Sequence, residues 1–160
     1  MSLVVGTNTY SLLAPVQEYF DAMGYEATAT TGAVLRAMNY IETQTYKGIP
    51  TTADQDLRWP RRNVFYDGYY IPDDEIPGNL IKALYEATYI ETKVPGKLSP
   101  LFHEREIRRE KIDVLEIQYE PTYHDKIIKD NEPEFPALEN LLSGLIVPRG
   151  IARIIKMELA

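Results

Sequence analysis

The stretch IPGNLIKALYEATYIETKVPG, residues 76–96, decides the fold class of this 160-residue chain. Proline punctuates both ends: Ile76-Pro77 suits the start of a helix and Pro95-Gly96 its stop. Between them Leu80, Leu84, Ala87 and Val94 mark one face of a helix that buries a single side. Such a helix needs partners with matching apolar stripes, and the flanking sequence carries them.

Upstream, a first helix is expected to open between Ser11 and Pro15, with Ser11 or a neighbour as cap and Pro15 in the opening turn. Leu12, Val16, Tyr19, Phe20 and Met23 follow at helical spacing, and Gly24 stands where a helix stops. A second helix begins after Thr30 and Thr31, buries Val34, Ala37, Met38 and Ile41, and is expected to end at Gly48. Downstream, Phe135-Pro136 introduces a short fourth helix with Leu138, Leu141, Leu142 and Leu145 on one side. Between the third and fourth helices the period changes. Leu115, Ile117 and Tyr119 alternate with Glu116 and Gln118, a strand whose expected partner lies around Ile107.

The expected architecture is therefore mainly α: a small bundle of about four helices with an inserted β-hairpin and an extended C-terminal tail. Residues 1–148 form the helical domain, with the strand-rich insert at about 103–120, and VPRG cuts off a tail at 149–160. That tail fits a strand through Ile151, Ile155, Met157 and Leu159, or a helix face through Ile151, Ile154, Ile155 and Leu159. Either way, an apolar terminal segment frays in water unless something covers it.

Composition narrows the chemistry. With 17 Lys and Arg against 24 Asp and Glu, the net charge of -7 argues against affinity for phosphates built on bulk positive charge. The absence of cysteine excludes disulfides, thiolate nucleophiles and cysteine-based zinc sites. The start MSLVVGTNTYS has no signal-peptide pattern, and no apolar run approaches the ~20 residues that span a bilayer, so a soluble chain made in the cytoplasm is expected. His103 and His124 share no metal-ligand spacing, and HEREI lacks the second histidine of a zinc helix. The acid pairs Asp54/Asp56 and Asp73/Asp74 read as solvated loop and cap residues. The expectation is a protein that is not an enzyme and carries no metal or cofactor.

The loop before the third helix, DLRWPRRNVFYDGYYIPDDE at 56–75, concentrates what is unusual. It sets Arg58, Trp59, Arg61 and Arg62 ahead of Phe65, Tyr66, Tyr69 and Tyr70, then Asp73, Asp74 and Glu75. Trp59, Phe65 and Tyr66 could stack on single-stranded bases while the arginines meet phosphates. The competing reading packs Trp59 into the core with Tyr19, Phe20 and Leu84, because a large apolar indole is costly to leave in water. A third reading sets Arg58, Arg61 and Arg62 against Asp73, Asp74 and Glu75 of a neighbouring copy, using the bidentate reach of guanidinium. The acids would also cap the third helix.

In order along the chain, VVGTNTYS with EYFDAMG, then LRWPRR, IPDDEIPGNLIKALYEA, LEIQY and FPALENLLSGLI resemble a family of small tailed-phage proteins. The likeness runs from Val4 to about Pro148, with departures in the charged stretch His103 to Pro136 and in the tail. The family carries the label of DnaT-like single-stranded-DNA-binding protein, while its similarity to helical neck proteins implies a head-tail connector, or adaptor. That resemblance implies a homo-oligomeric ring, twelvefold, beneath the phage portal protein, made in the host bacterial cytoplasm and located in the virion neck. Its lumen would pass genomic double-stranded DNA without sequence-specific binding, and its lower face would dock the next neck or tail protein. Within that frame Ile151, Arg153, Ile154, Ile155, Met157 and Leu159 are expected to dock on the portal or a neighbour. The alternative takes the label at face value: a replication accessory that binds single-stranded DNA.

Overall fold

A computed structural model describes residues 1–99 and 135–148. Four helices lie among them: α1 at Leu13–Met23, α2 at Thr31–Glu42, α3 at Gly78–Lys93 and α4 at Pro136–Leu142. Two antiparallel strand pairs sit between α2 and α3. The first joins β1, Ile49–Pro50, to β2, Arg61–Arg62; the second joins β3, Phe65–Tyr66, to β4, Tyr69–Tyr70. The fold is mainly α with small hairpins. The expected hairpin around 103–120 and the tail at 149–160 lie outside the described residues.

The central element is α3, which packs against α2, α4 and α1. It buries Leu80, Ala83, Leu84, Ala87, Thr88 and Glu91, positions that follow one helical stripe. Val94, expected on that face, is exposed, because the helix ends at Lys93 and Val94 leaves helical geometry. Glu91 is a carboxylate in the core, and it is fully engaged. It accepts from Arg36 Nε at 2.7 Å and from the backbone N–H groups of Gly96 and Leu98 at 2.7 and 2.8 Å. A buried charge is tolerated only with such partners, and here they also fix the turn that follows α3.

Helix starts differ from the expected caps. Leu12, not Ser11, is the N-cap of α1 and makes no side-chain cap bond. The Ser11 hydroxyl instead meets the Tyr85 hydroxyl at 3.0 Å, tying α1's entrance to α3. Thr30 does cap α2, accepting from the Ala33 N–H at 3.2 Å. That helix ends at Glu42 rather than running to Gly48, since the chain turns back to bury Tyr46, whose hydroxyl donates to the Ile41 carbonyl at 2.9 Å. Asp73, Asp74 and Glu75 do not cap α3: Pro77 occupies the N-cap, and no side chain bonds to the first turn.

The basic loop is built around Trp59, which is 2% exposed and meets the Tyr46 ring edge-on at 5.8 Å. Its backbone N–H donates to the Tyr10 hydroxyl at 3.1 Å, and that hydroxyl donates to the Glu42 carboxylate. Glu42 also accepts from the Arg58 N–H at 2.7 Å. One carboxylate on α2 thus seats both the tyrosine and the loop. Burial first, and then Glu42, push the Tyr10 hydroxyl well above the ordinary tyrosine range, which keeps it a neutral donor.

Candidate functional site

The arginines of the loop part company in the structure. Arg61 is 7% exposed and spends its guanidinium on backbone carbonyls: Nε to Lys47 at 2.7 Å, Nη1 to Arg58 at 3.1 Å, and Nη2 to Gly48 at 2.7 Å. Burial lowers its pKa from the usual guanidinium value, with the Arg58 charge acting in the same direction. Arg58 and Arg62 are exposed. Arg62 Nη2 donates to the Thr51 carbonyl at 2.5 Å, and the Thr51 hydroxyl donates to the Asp73 carbonyl at 2.5 Å. The acids Asp73, Asp74 and Glu75 are exposed, and no ion pair joins them to the three arginines. Of the six residues grouped as a charge-complementary surface, Arg61 is therefore not on the surface at all.

Stacking on Trp59 is ruled out by its burial. Tyr19, Phe20 and Leu84 also belong to the core or pack against it. The rings that do face water follow on β3 and β4. Phe65 is 51% exposed, Tyr70 70% and Tyr69 79%. Phe65 and Tyr70 are cross-strand partners with ring centroids 4.5 Å apart, edge to face. A two-residue turn positions them. Asp67 and Gly68 both have positive φ, 50° and 85°, as the tight turn joining right-twisted strands requires.

Tyr66 is the anchor of this hairpin. Its ring lies so close to Gly144 that a Cβ there would sit 1.9 Å from the ring, and its hydroxyl accepts from the Asn79 amide at 2.6 Å. Val64, fully buried, accepts at its carbonyl from the Ile71 N–H at 3.0 Å and closes the hairpin base. The exposed rings are thereby held on a fixed support rather than on a free loop. Beside them, between the hairpin and the start of α3, runs an open groove of about 370 Å³ whose wall includes Tyr66, Tyr69, Tyr70, Glu75 and Asn79. The Asp67-Gly68 pair flanked by aromatic residues was the sequence signal for this arrangement.

The other expected site residues, Ile151, Arg153, Ile154, Ile155, Met157 and Leu159, lie outside the described residues, as do His103 and His124. Among the described residues no cluster of three or more His, Asp and Glu is placed to hold a metal ion. No described helix is long and apolar enough to cross a membrane.

A family model described as "Putative DnaT-like ssDNA binding protein" matches residues 2–159. No curated protein and no solved structure matches the chain. The family match overturns the connector reading, with its ring, its portal and tail partners and its passive duplex channel: what it names is single-stranded DNA. The physical reason for the misreading is visible. LRWPRR and FPALENLLSGLI, two of the stretches that carried the resemblance, hold the buried Trp59, Arg61, Leu138, Leu142 and Leu145. These buried residues specify how the chain packs and not what it touches.

Proposed function

The chain belongs to the DnaT-like single-stranded-DNA-binding family, and from that premise we propose that it binds single-stranded DNA on the face formed by the β3–β4 hairpin and Arg62. The observation that carries this reading is the exposure of Phe65, Tyr69 and Tyr70 on one braced hairpin. Unpaired bases expose flat apolar faces, and stacking each on an aromatic ring contributes about 1–3 kcal/mol without regard to sequence. Duplex DNA keeps those faces covered, so the same rings discriminate against it. Arg62, three residues before Phe65, and Arg58 are the exposed cations of this loop and would meet the phosphates. The proposed role is binding, with no bond made or broken.

Fluorescence anisotropy of labelled single-stranded oligonucleotides at low salt tests this. Tyr69→Ala and Tyr70→Ala are each expected to weaken binding roughly 5- to 150-fold, the span of one lost stack. Circular dichroism should show both variants folded, because neither ring supports the core. Full affinity in the double variant would refute the assignment of this face. Intrinsic Trp59 fluorescence is not a reporter of stacking, since the indole is buried.

A further inference from the structure

The groove beside the hairpin has a composition that the stacking face alone does not explain. It is rimmed by the exposed Tyr69 and Tyr70 rings, and its polar lining is Tyr66, Asp67, Glu75 and Asn79. Among the described residues none of the lining is a cation, so a phosphate there would meet two carboxylates and no described group to neutralise it. At about 370 Å³ it lies in the size range of small-ligand pockets, which is ample for a nucleobase swung off the strand.

Resting on the single-stranded-DNA reading above, we infer that this groove takes one unpaired base by its amino-bearing edge, and that it selects adenine, cytosine or guanine over thymine. Carboxylates are acceptors only. They suit the exocyclic N–H donors of adenine N6, cytosine N4 and guanine N2. Thymine offers carbonyl oxygens beside a single ring N–H, so its oxygens would face the carboxylates without a proton between them. The neutral partners are fixed for the same task. Asn79 and Tyr66 are held together at 2.6 Å, and the close contact with Gly144 fixes the position of the Tyr66 ring. In this arrangement the exposed Arg58 and Arg62 meet phosphates while one base enters the groove. Glu75, the one of the three following acids that lines the groove, and Asp67 within the aromatic cluster then have a use that does not oppose the basic residues before them.

Anisotropy titrations with labelled oligo-dC, oligo-dA and oligo-dT of equal length, on the full chain, decide the matter. Oligo-dC and oligo-dA are expected to bind on the order of tenfold more tightly than oligo-dT, as one discriminating base contact provides. The double variant Asp67→Asn/Glu75→Gln removes two negative charges and will raise affinity for every oligonucleotide. The readout is therefore the dC-to-dT ratio, which is expected to fall to near one as the amides accept and donate alike. Asparagine tolerates the positive φ at position 67, so the turn survives. Equal binding of all three oligonucleotides to the wild type, or a ratio unchanged in the double variant, would overturn base selection while leaving strand binding intact. No binding of any oligonucleotide would overturn the underlying function and this inference with it.

Discussion

Arg61 and Arg62 are neighbours in the chain with opposite expected behaviour. Replacing Arg61 by Met keeps much of the apolar stem but removes three hydrogen bonds to the carbonyls of Lys47, Gly48 and Arg58, at 2.7, 2.7 and 3.1 Å. Hydrogen bonds from a charged partner contribute roughly 1.5–3 kcal/mol each and are not additive, so the expected loss is about 3–5 kcal/mol. For a domain stabilised by about 5–15 kcal/mol that is a large fraction. Urea unfolding followed by Trp59 fluorescence reads it directly, since Trp59 sits two residues away in the same buried loop. With an m-value of about 2 kcal/mol/M the midpoint should fall by roughly 2 M. Arg61→Lys should recover little, because an ammonium cannot present the three-armed fork. Arg62→Ala, on the exposed side, should stay within about 0.5 kcal/mol of wild type while weakening oligonucleotide binding. An Arg61→Met midpoint within the error of wild type would refute the claim that this residue builds the loop.

Glu91→Ala leaves the N–H groups of Gly96 and Leu98 without their acceptor and should cost about 3 kcal/mol in the same unfolding assay. Gly144→Ala drives a Cβ into the Tyr66 ring, with an overpacking cost of about 1–3 kcal/mol and a drop in oligonucleotide affinity as the hairpin shifts; unchanged affinity would detach the ring platform from its support. Burial raises the pKa of Tyr10 and Tyr46 above the ordinary range, so the folded state holds protons that an unfolded tyrosine releases at about pH 10. Their stabilisation is complete below pH 10 and declines above it by about 1.4 kcal/mol per pH unit for each group. Unfolding midpoints measured at pH 9 and pH 11 should show that decline, reduced in Tyr10→Phe. Finally, if only Arg58 and Arg62 meet phosphates, the plot of log affinity against log salt should have a slope of about -1.4; a much steeper slope would mean that charge, not stacking, dominates.

What the sequence disclosed follows from which forces act locally. The buried stripes of α2 and α3 were legible because Val34, Ala37, Met38 and Ile41, and Leu80, Leu84 and Ala87, repeat with the helix itself. The start of α2 was legible to within a residue, after Thr30 and Thr31, and the Thr30 cap bond that fixes it reaches only three residues ahead. Of Ser11 and its neighbours, Leu12 is the cap of α1, because the Ser11 hydroxyl is taken by Tyr85, seventy-four positions away. The β3–β4 hairpin was readable and was missed: Asp67-Gly68 between pairs of aromatic residues is a strong turn signal, obscured by the prolines and charges around it. The inward turn of Arg61 was not readable. It depends on pairing with Pro50, and a two-residue strand ending in proline gives no alternation from which to infer a register.

Under the proposed single-stranded-DNA reading, an acidic chain has a physical route to binding a polyanion. A net charge of -7 makes long-range attraction to DNA unfavourable, so affinity has to come from short-range contacts that bases offer and phosphates do not. Exposed aromatic rings provide such contacts only if they are held rigid, because ordering a loop on binding would consume part of the stacking energy. Tyr66 against Gly144, the Val64–Ile71 bond and the Asp67-Gly68 turn supply that rigidity in advance. Repulsion between the acids and the backbone then becomes a filter: a duplex, which presents phosphates on both strands and covers its base faces, meets the charge without reaching the rings.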